Sequence, residues 1–171
     1  MKLSKLFRTD ILLRGSLYSG SPSLLKASSL IKTGLNLYPP YRCAGAKVER
    51  IAEDFSSVRV RIDLTIKNRN IVGTIFGGSL YTATDPIYMA MFMQRLGKEY
   101  IVWDKAATIR FIKPGRSTLW GNFTVSDEQT EEIRRELESE SSIERSYTVD
   151  LVDARGVVHA SVDKLLYFRK K

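Results

Sequence analysis

The residues with the clearest capacity for chemistry are a glycine pair and one carboxylate. Gly77 and Gly78 stand at the mouth of a largely apolar stretch, 77–96, and Asp85 lies further in. Glycine lets another group approach the backbone closely, because no Cβ stands in the way. The first turn of a helix leaves N–H groups unpaired, and its dipole favours negative charge there. An oxygen that gains negative charge during a reaction would be stabilised at such a place. Asp85 follows Gly78 by seven residues, which puts both on roughly one helix face. Amide donors and a carboxylate on one face make a credible acyl-transfer site, with Asp85 as general base toward water or as direct nucleophile.

Other side chains are candidates to complete such a site. Tyr81, Asp85, Tyr88 and Phe92 fall on one helix stripe, so aromatic rings flank the carboxylate. The alternative for Asp85 is a buried acid bonded to a tyrosine hydroxyl or a backbone amide. Asn70 either orients water or Asp85, or ties its own turn, the commoner fate of asparagine. Lys105, Arg110, Lys113 and Arg116 bracket Pro114. They suit the phosphates of a ligand, and equally a solvated basic edge that blocks sheet aggregation. Asp104 is a reserve base within a strand. His159, the only histidine, reads as structural.

These residues need elements to position them. Ser21 and Pro22 signal a helix start, with Leu24, Ala27, Ile31 and Leu35 at helical spacing and Pro39 and Pro40 as the stop. A strand is expected over 44–52. Val58, Val60, Ile62, Leu64 and Ile66 alternate with polar residues, which predicts a half-buried antiparallel strand. A loop over 67–75 leads into a helix over 77–96, with Pro86 predicting a kink and Gly97 ending it. The kink is either a packing adjustment or a device that aims Asp85 into a pocket. Strands are expected over 100–112 and 117–126, separated by the turn 113–116. Ser126 and Gln129 form a capping box for a charged helix to about residue 140, with Glu131–Arg135 and Arg134–Glu138 pairs. Strands over 143–152 and 157–168 close a hairpin around 153–156. The order predicts an α+β layer: a strongly curved antiparallel sheet wrapped around one long helix.

Composition narrows the function classes. The chain has 171 residues, enough for one domain with a real core. A formal charge of +8 attracts anionic ligands such as a nucleotide or coenzyme A, or a polyanion. No zinc-ligand spacing, helix-turn-helix signature or RNA-binding sheet motif is present, so no nucleic-acid partner is expected. Cys43 is the only cysteine, which excludes an internal disulfide and a cysteine metal cluster and fits a reducing cytoplasm. With one cysteine and one histidine, neither a histidine metal site nor a serine–histidine triad is expected within one subunit. Charges at Asp10 and Arg14 interrupt the N-terminal apolar run, and Asp85 and Pro86 interrupt 79–93, so no signal or membrane span is expected. The basic, leucine-dotted N-terminus reads as a solvated arm or short docking helix, with contact to a membrane surface as the alternative.

The pattern Asn70-x-x-Gly73-x-x-Phe76-Gly77-Gly78-x-Leu80, with Asp85 on the following helix, resembles that of the hotdog-fold thioesterases. Within them it looks closest to the phenylacetyl-CoA thioesterase-like branch. The wording Gly-Thr-Ile-Phe-Gly-Gly and Tyr-Ile-Val-Trp-Asp-Lys suggests a bacterial subgroup of that fold classed as a domain of unknown function. Phe111-Ile112-Lys113-Pro114-Gly115-Arg116 looks like the family's strand-ending motif. The resemblance covers roughly 38–168. It implies a hotdog domain over 38–171 of about six strands, preceded by an N-terminal helical extension over 1–37. It implies an acyl-CoA hydrolase that needs no cofactor and no metal, coenzyme A being part of the substrate. Gly78, Gly77, Asp85 and Asn70 are then the catalytic candidates. Phe76, Tyr81, Tyr88, Lys113 and Arg116 are the substrate-binding candidates, with Met89, Phe92 and Met93 lining an acyl tunnel. The family assembles as a homodimer, or a dimer of dimers, with two sheets joined edge to edge. Its two sites lie at the interface, and the Gly-Gly amide of one subunit faces the carboxylate of the other. Phe76 stands where the family usually has histidine, and a phenyl ring neither donates nor titrates. The orienting role of that histidine is then absent or supplied by something else, such as Asn70 or a backbone N–H. The substitution argues against the hydratase and dehydratase branches. It also keeps open a non-catalytic acyl-CoA or lipid-thioester binder, while the +8 charge keeps open an anion- or nucleic-acid-binding scaffold.

Overall fold

The computed structural model describes residues 23–171. Helix α1, Ser23–Leu37, ends before Pro39. The prolines do more than stop it: Pro39 opens a second short helix, α2, Pro39–Cys43, because proline suits a first helical turn, where its missing N–H has no partner to lose. The first 22 positions of the expected N-terminal extension, with their basic arm, lie outside the described residues. Asn36 ties α1 to strand β1, Ala46–Ile51. Its amide donates to the Val48 carbonyl at 3.0 Å and accepts from the Val48 N–H at 2.7 Å.

Strand β2 is Ser57–Ile62, and its alternation is the expected one: Val58, Val60 and Ile62 are buried. It stops short of residue 66, and Ile66 is exposed. The cause is Asn68, a buried side chain that folds the chain back on itself. It accepts from the Thr65 N–H at 2.7 Å and donates to the carbonyls of Ala44 and Asp63, both at 2.8 Å. Gly45 is required beneath it: its φ is +72°, and a Cβ there would lie 2.4 Å from Asn68 Nδ2.

The long central helix runs in two segments, α3 Gly77–Thr84 and α4 Ile87–Leu96, broken at Asp85 and Pro86. Proline brings no N–H and bends the axis. At the break the Ala83 carbonyl accepts from the buried Tyr41 hydroxyl at 2.6 Å. Strand β3, Tyr100–Phe111, follows, then β4, Leu119–Thr124. Helix α5, Asp127–Glu136, carries the Ser126–Gln129 capping box in full. It ends four residues early, and Arg134 pairs with Glu131 rather than Glu138. Strands β5, Ile143–Val152, and β6, Val158–Lys170, form the closing hairpin. Asp153 shapes its turn by accepting from the N–H groups of Arg155 and Val157.

All strand pairs are antiparallel, in the order β1-β2-β4-β5-β6-β3. The sheet's inner face (Val48, Val60, Phe123, Leu151, Val162, Phe168) packs on Leu80, Ala83, Ile87, Met91 and Phe92 of the central helix. This is the α+β layer that the periodicity predicts. Strand β3 forms one edge of the sheet and bulges between Asp104 and Ala106. No helix among the described residues is long and apolar enough to cross a membrane.

Candidate active site

Three elements converge on one charged cluster. Asp85 sits where α3 ends, Asp104 on edge strand β3, and Lys164 in the middle of β6. Asp85 Oδ1 accepts from the Tyr81 hydroxyl and from Lys164 Nζ, both at 2.9 Å. Lys164 Nζ is also 3.4 Å from Asp104 Oδ1 and lies over the Tyr81 ring, 5.2 Å from its centroid. The lysine side chain has 0% exposure, Asp104 has 19% and Asp85 has 49%. The acids therefore differ in exposure: Asp104 is mostly buried, while Asp85, the closer of the two to the ammonium, opens outward.

That opening is a cavity of about 330 Å³ lined by Tyr81, Asp85, Met89, Trp103 and Asp104, with Lys105, Ala106 and Ala107 from the bulged edge. A bulge re-aims side chains at a sheet edge, and here it sets two small alanines beside the acids. Burial pulls the Lys164 ammonium toward neutrality, but its hydrogen bond to Asp85 and the charge of Asp104 outweigh this and hold its pKa above the ordinary value. Burial raises the Asp104 carboxyl, with Lys164 opposing. Burial, then the bond to Asp85, raises the Tyr81 hydroxyl. The cluster thus sets two carboxyl groups around one lysine.

The glycine pair occupies a different place. Gly77 and Gly78 open α3, with Phe76 as an N-cap that offers no side-chain acceptor. Their amides have no preceding helical carbonyl to meet. A Cβ on Gly77 would lie 2.7 Å from the Phe111 ring, and one on Gly78 would lie 2.5 Å from the Phe76 ring. Two exposed phenyl rings thus lie against bare backbone. Neither glycine lines the cavity beside Asp85. The loop before them is rigidly tied. Asn70 Oδ1 accepts from the N–H groups of Val72 and Thr74, and Asn70 Nδ2 donates to Thr74 Oγ1 at 2.8 Å. The Ile75 N–H donates to the Gly115 carbonyl at 2.9 Å, which joins the loop to the turn carrying Lys113 and Arg116. Asn70 is therefore occupied within its own loop.

The chain is matched over residues 27–167 by the family model described as a domain of unknown function, DUF4442. It belongs to that family. No curated protein matches it. Among solved structures it is similar to a Pseudomonas aeruginosa protein of unknown function described as a probable thioesterase. That pair shares 21% identity over 84% of this chain and 95% of that one, at a TM-score of 0.76. A Chlorobaculum tepidum protein of unknown function is 14% identical over 84% of this chain and 97% of the other, at 0.67. A thioesterase from Haemophilus influenzae is 10% identical over 91% and 96%, at 0.61. At such identities the likeness speaks for fold, and the fold is the hotdog fold.

In this DUF4442 chain the remaining predicted residues separate by location. Tyr81 and Met89 line the cavity. Tyr88 is in the core, its hydroxyl donating to the Thr148 carbonyl at 2.9 Å and raised by burial to about 12. Phe92 is fully buried. Of the four cations near Pro114, Lys105 pairs with Glu144 and Arg110 with Asp163. Lys113 and Arg116 are exposed and form no ion pair among the described residues. His159 Nδ1 is 3.0 Å from the Pro114 carbonyl, where it pins the turn. Sequence reasoning missed Lys164 altogether. Its signal was present: Ala160, Val162, Leu166 and Phe168 mark the inward face of β6, and the lysine occupies the same parity. A lysine at an inward strand position demands a buried counter-charge.

Proposed function

We propose that this protein hydrolyses acyl thioesters, acyl-CoA being the substrate class. The observation that carries the reading is the state of Asp85. It lies on the cavity wall with Oδ1 held by Tyr81 and Lys164, while Oδ2 accepts no hydrogen bond among the described residues. A carboxylate oxygen left without a partner beside an open cavity is what a general base or nucleophile needs. Water enters beside Oδ2, loses its proton to it and attacks the thioester carbon. The carbonyl oxygen becomes an oxyanion at the α3 amides; its collapse re-forms the carbonyl and breaks the C–S bond, and the departing thiolate takes up the proton held at Oδ2. Lys113 and Arg116 are the cations for the coenzyme A phosphates. Cys43 is an exposed free thiol, as suits a reducing cytoplasm.

The separation of the glycine pair from the Asp85 cavity supports a paired assembly. Two copies joined along β3 bring the Gly77–Gly78 amides of one chain to the acid of the other, giving a homodimer with two sites. A dimer of such dimers would use another surface, because pairing along β3 covers that edge.

A second reading, a non-catalytic acyl-thioester binder, is favoured by the Phe76 ring lying against Gly78. One assay separates the two. The protein and its Asp85→Ala variant are offered a panel of acyl-CoAs, and released coenzyme A is measured together with the melting temperature. Hydrolysis predicts turnover that falls by about 100-fold or more in the variant. Equal turnover by both proteins removes Asp85 from the mechanism. A raised melting temperature without thiol release establishes the binder.

A further inference from the structure

A lysine with no exposed surface at the centre of a strand is costly unless its charge is matched on the spot. The usual inward residue is apolar, as Val162 and Leu166 are on either side. Lys164 is matched twice, by Asp85 at 2.9 Å and by Asp104 at 3.4 Å. Only the Asp85 contact is a hydrogen bond, and it goes to the same oxygen that accepts from Tyr81. Asp104 Oδ1, buried and without a hydrogen-bond donor, serves as a counter-charge rather than a bonding partner.

The position of Lys164 is fixed from all sides. In the sheet it lies opposite Ala107 of β3 and Tyr147 of β5. The titratable groups facing the cluster are Tyr81 and Asp85 from the helix and Asp104 from β3. Tyr41 of α2 is also close enough to feel the Asp85 charge. Lys105, on the bulge, is engaged with Glu144. Lys164 is therefore the cation that sits between the two acids.

We propose that Lys164 is a positioning residue for hydrolysis: its ammonium clamps Oδ1 of Asp85, which leaves Oδ2 as the reacting oxygen, and it keeps two neighbouring carboxylates charged together. This rests on the hydrolase reading for its catalytic meaning but on the clamp geometry for its content. Without the ammonium, like charges would share one site, and one acid would hold its proton to higher pH. Asp104, being buried, is the acid that would do so.

The test uses Lys164→Met, close in volume and apolar, and the double variant Lys164→Met/Asp104→Asn, which removes opposite charges together and so guards against failure to fold. Asp104 is followed by carbon-13 NMR of its carboxyl through a pH titration. Its midpoint is expected to rise by about one pH unit or more in Lys164→Met. An unmoved midpoint overturns the proposal, and this readout needs no turnover. In the thioesterase assay kcat is expected to fall by about 100-fold in the folded double variant with KM little changed. Wild-type kcat in the folded double variant overturns the proposal. Absence of turnover in the wild type overturns the hydrolase reading instead, and the NMR titration then decides the clamp by itself.

Discussion

Gly78 and Phe76 together define what the helix mouth can accept. The ring occupies the space that a Cβ on Gly78 would enter, yet it is 58% exposed and has room to swing aside. Gly78 does not have a positive φ, so alanine fits the backbone there. Gly78→Ala would gain about 1 kcal/mol of helix propensity and lose part of it by displacing the ring. We expect stability to change by less than about 1 kcal/mol, while turnover falls about 10-fold or more as the amide is shielded from an incoming oxygen. Thermal melts and thioesterase assays on the same preparation read the two effects separately. A drop in turnover matched by an equal loss of folded protein would assign the glycine to packing.

At the scale of elements, the break between α3 and α4 is what presents Asp85. Pro86 bends the helix, and Asp85 caps the first segment rather than continuing a uniform rod. A buried hydrogen bond from Tyr41 of α2 to the Ala83 carbonyl ties the bend to α2. Burial pushes the Tyr41 hydroxyl far above its ordinary range, with the Asp85 charge adding to it, so it remains a donor throughout the physiological range. Tyr41→Phe removes that donor and strands a buried carbonyl, a loss of about 1–3 kcal/mol. Urea denaturation measures it. If the bond also orients the break, kcat falls in the folded variant. An unchanged denaturation midpoint would mean that the carbonyl has found another donor.

For the whole molecule, the decisive question is which copy supplies which part of the site. In the proposed dimer along β3, each site takes amides from one chain and an acid from the other. A mixture of the Asp85→Ala and Gly78→Ala proteins, unfolded and refolded together, then forms some mixed dimers with one intact site. Thioesterase activity should exceed the sum of the two separate proteins, and sedimentation should give twice the chain mass. No gain on mixing, with each variant dimeric, would place amide and acid of one site in the same chain.

What the sequence by itself determined is what local chemistry dictates. The alternation in β2 put Val58, Val60 and Ile62 inside, because a strand has a period of two. The Ser126–Gln129 box and the Asp153–Gly156 turn followed from side chains reaching backbone groups a few residues away. Pro86 announced a break in the central helix for the same reason. The stop of β2 before Leu64 was not legible, because Asn68 achieves it through a carbonyl on Ala44, 24 residues upstream. The candidate site shows the same division more sharply. Asp85 stood out by its place in a motif, but Lys164, 79 residues away, meets it only once β6 has been laid between β5 and β3. The bulge after Asp104 then turns the edge strand's acid toward the same ammonium. Periodicity can mark a lysine as inward; only the packing of sheet on helix decides which charges it finds there.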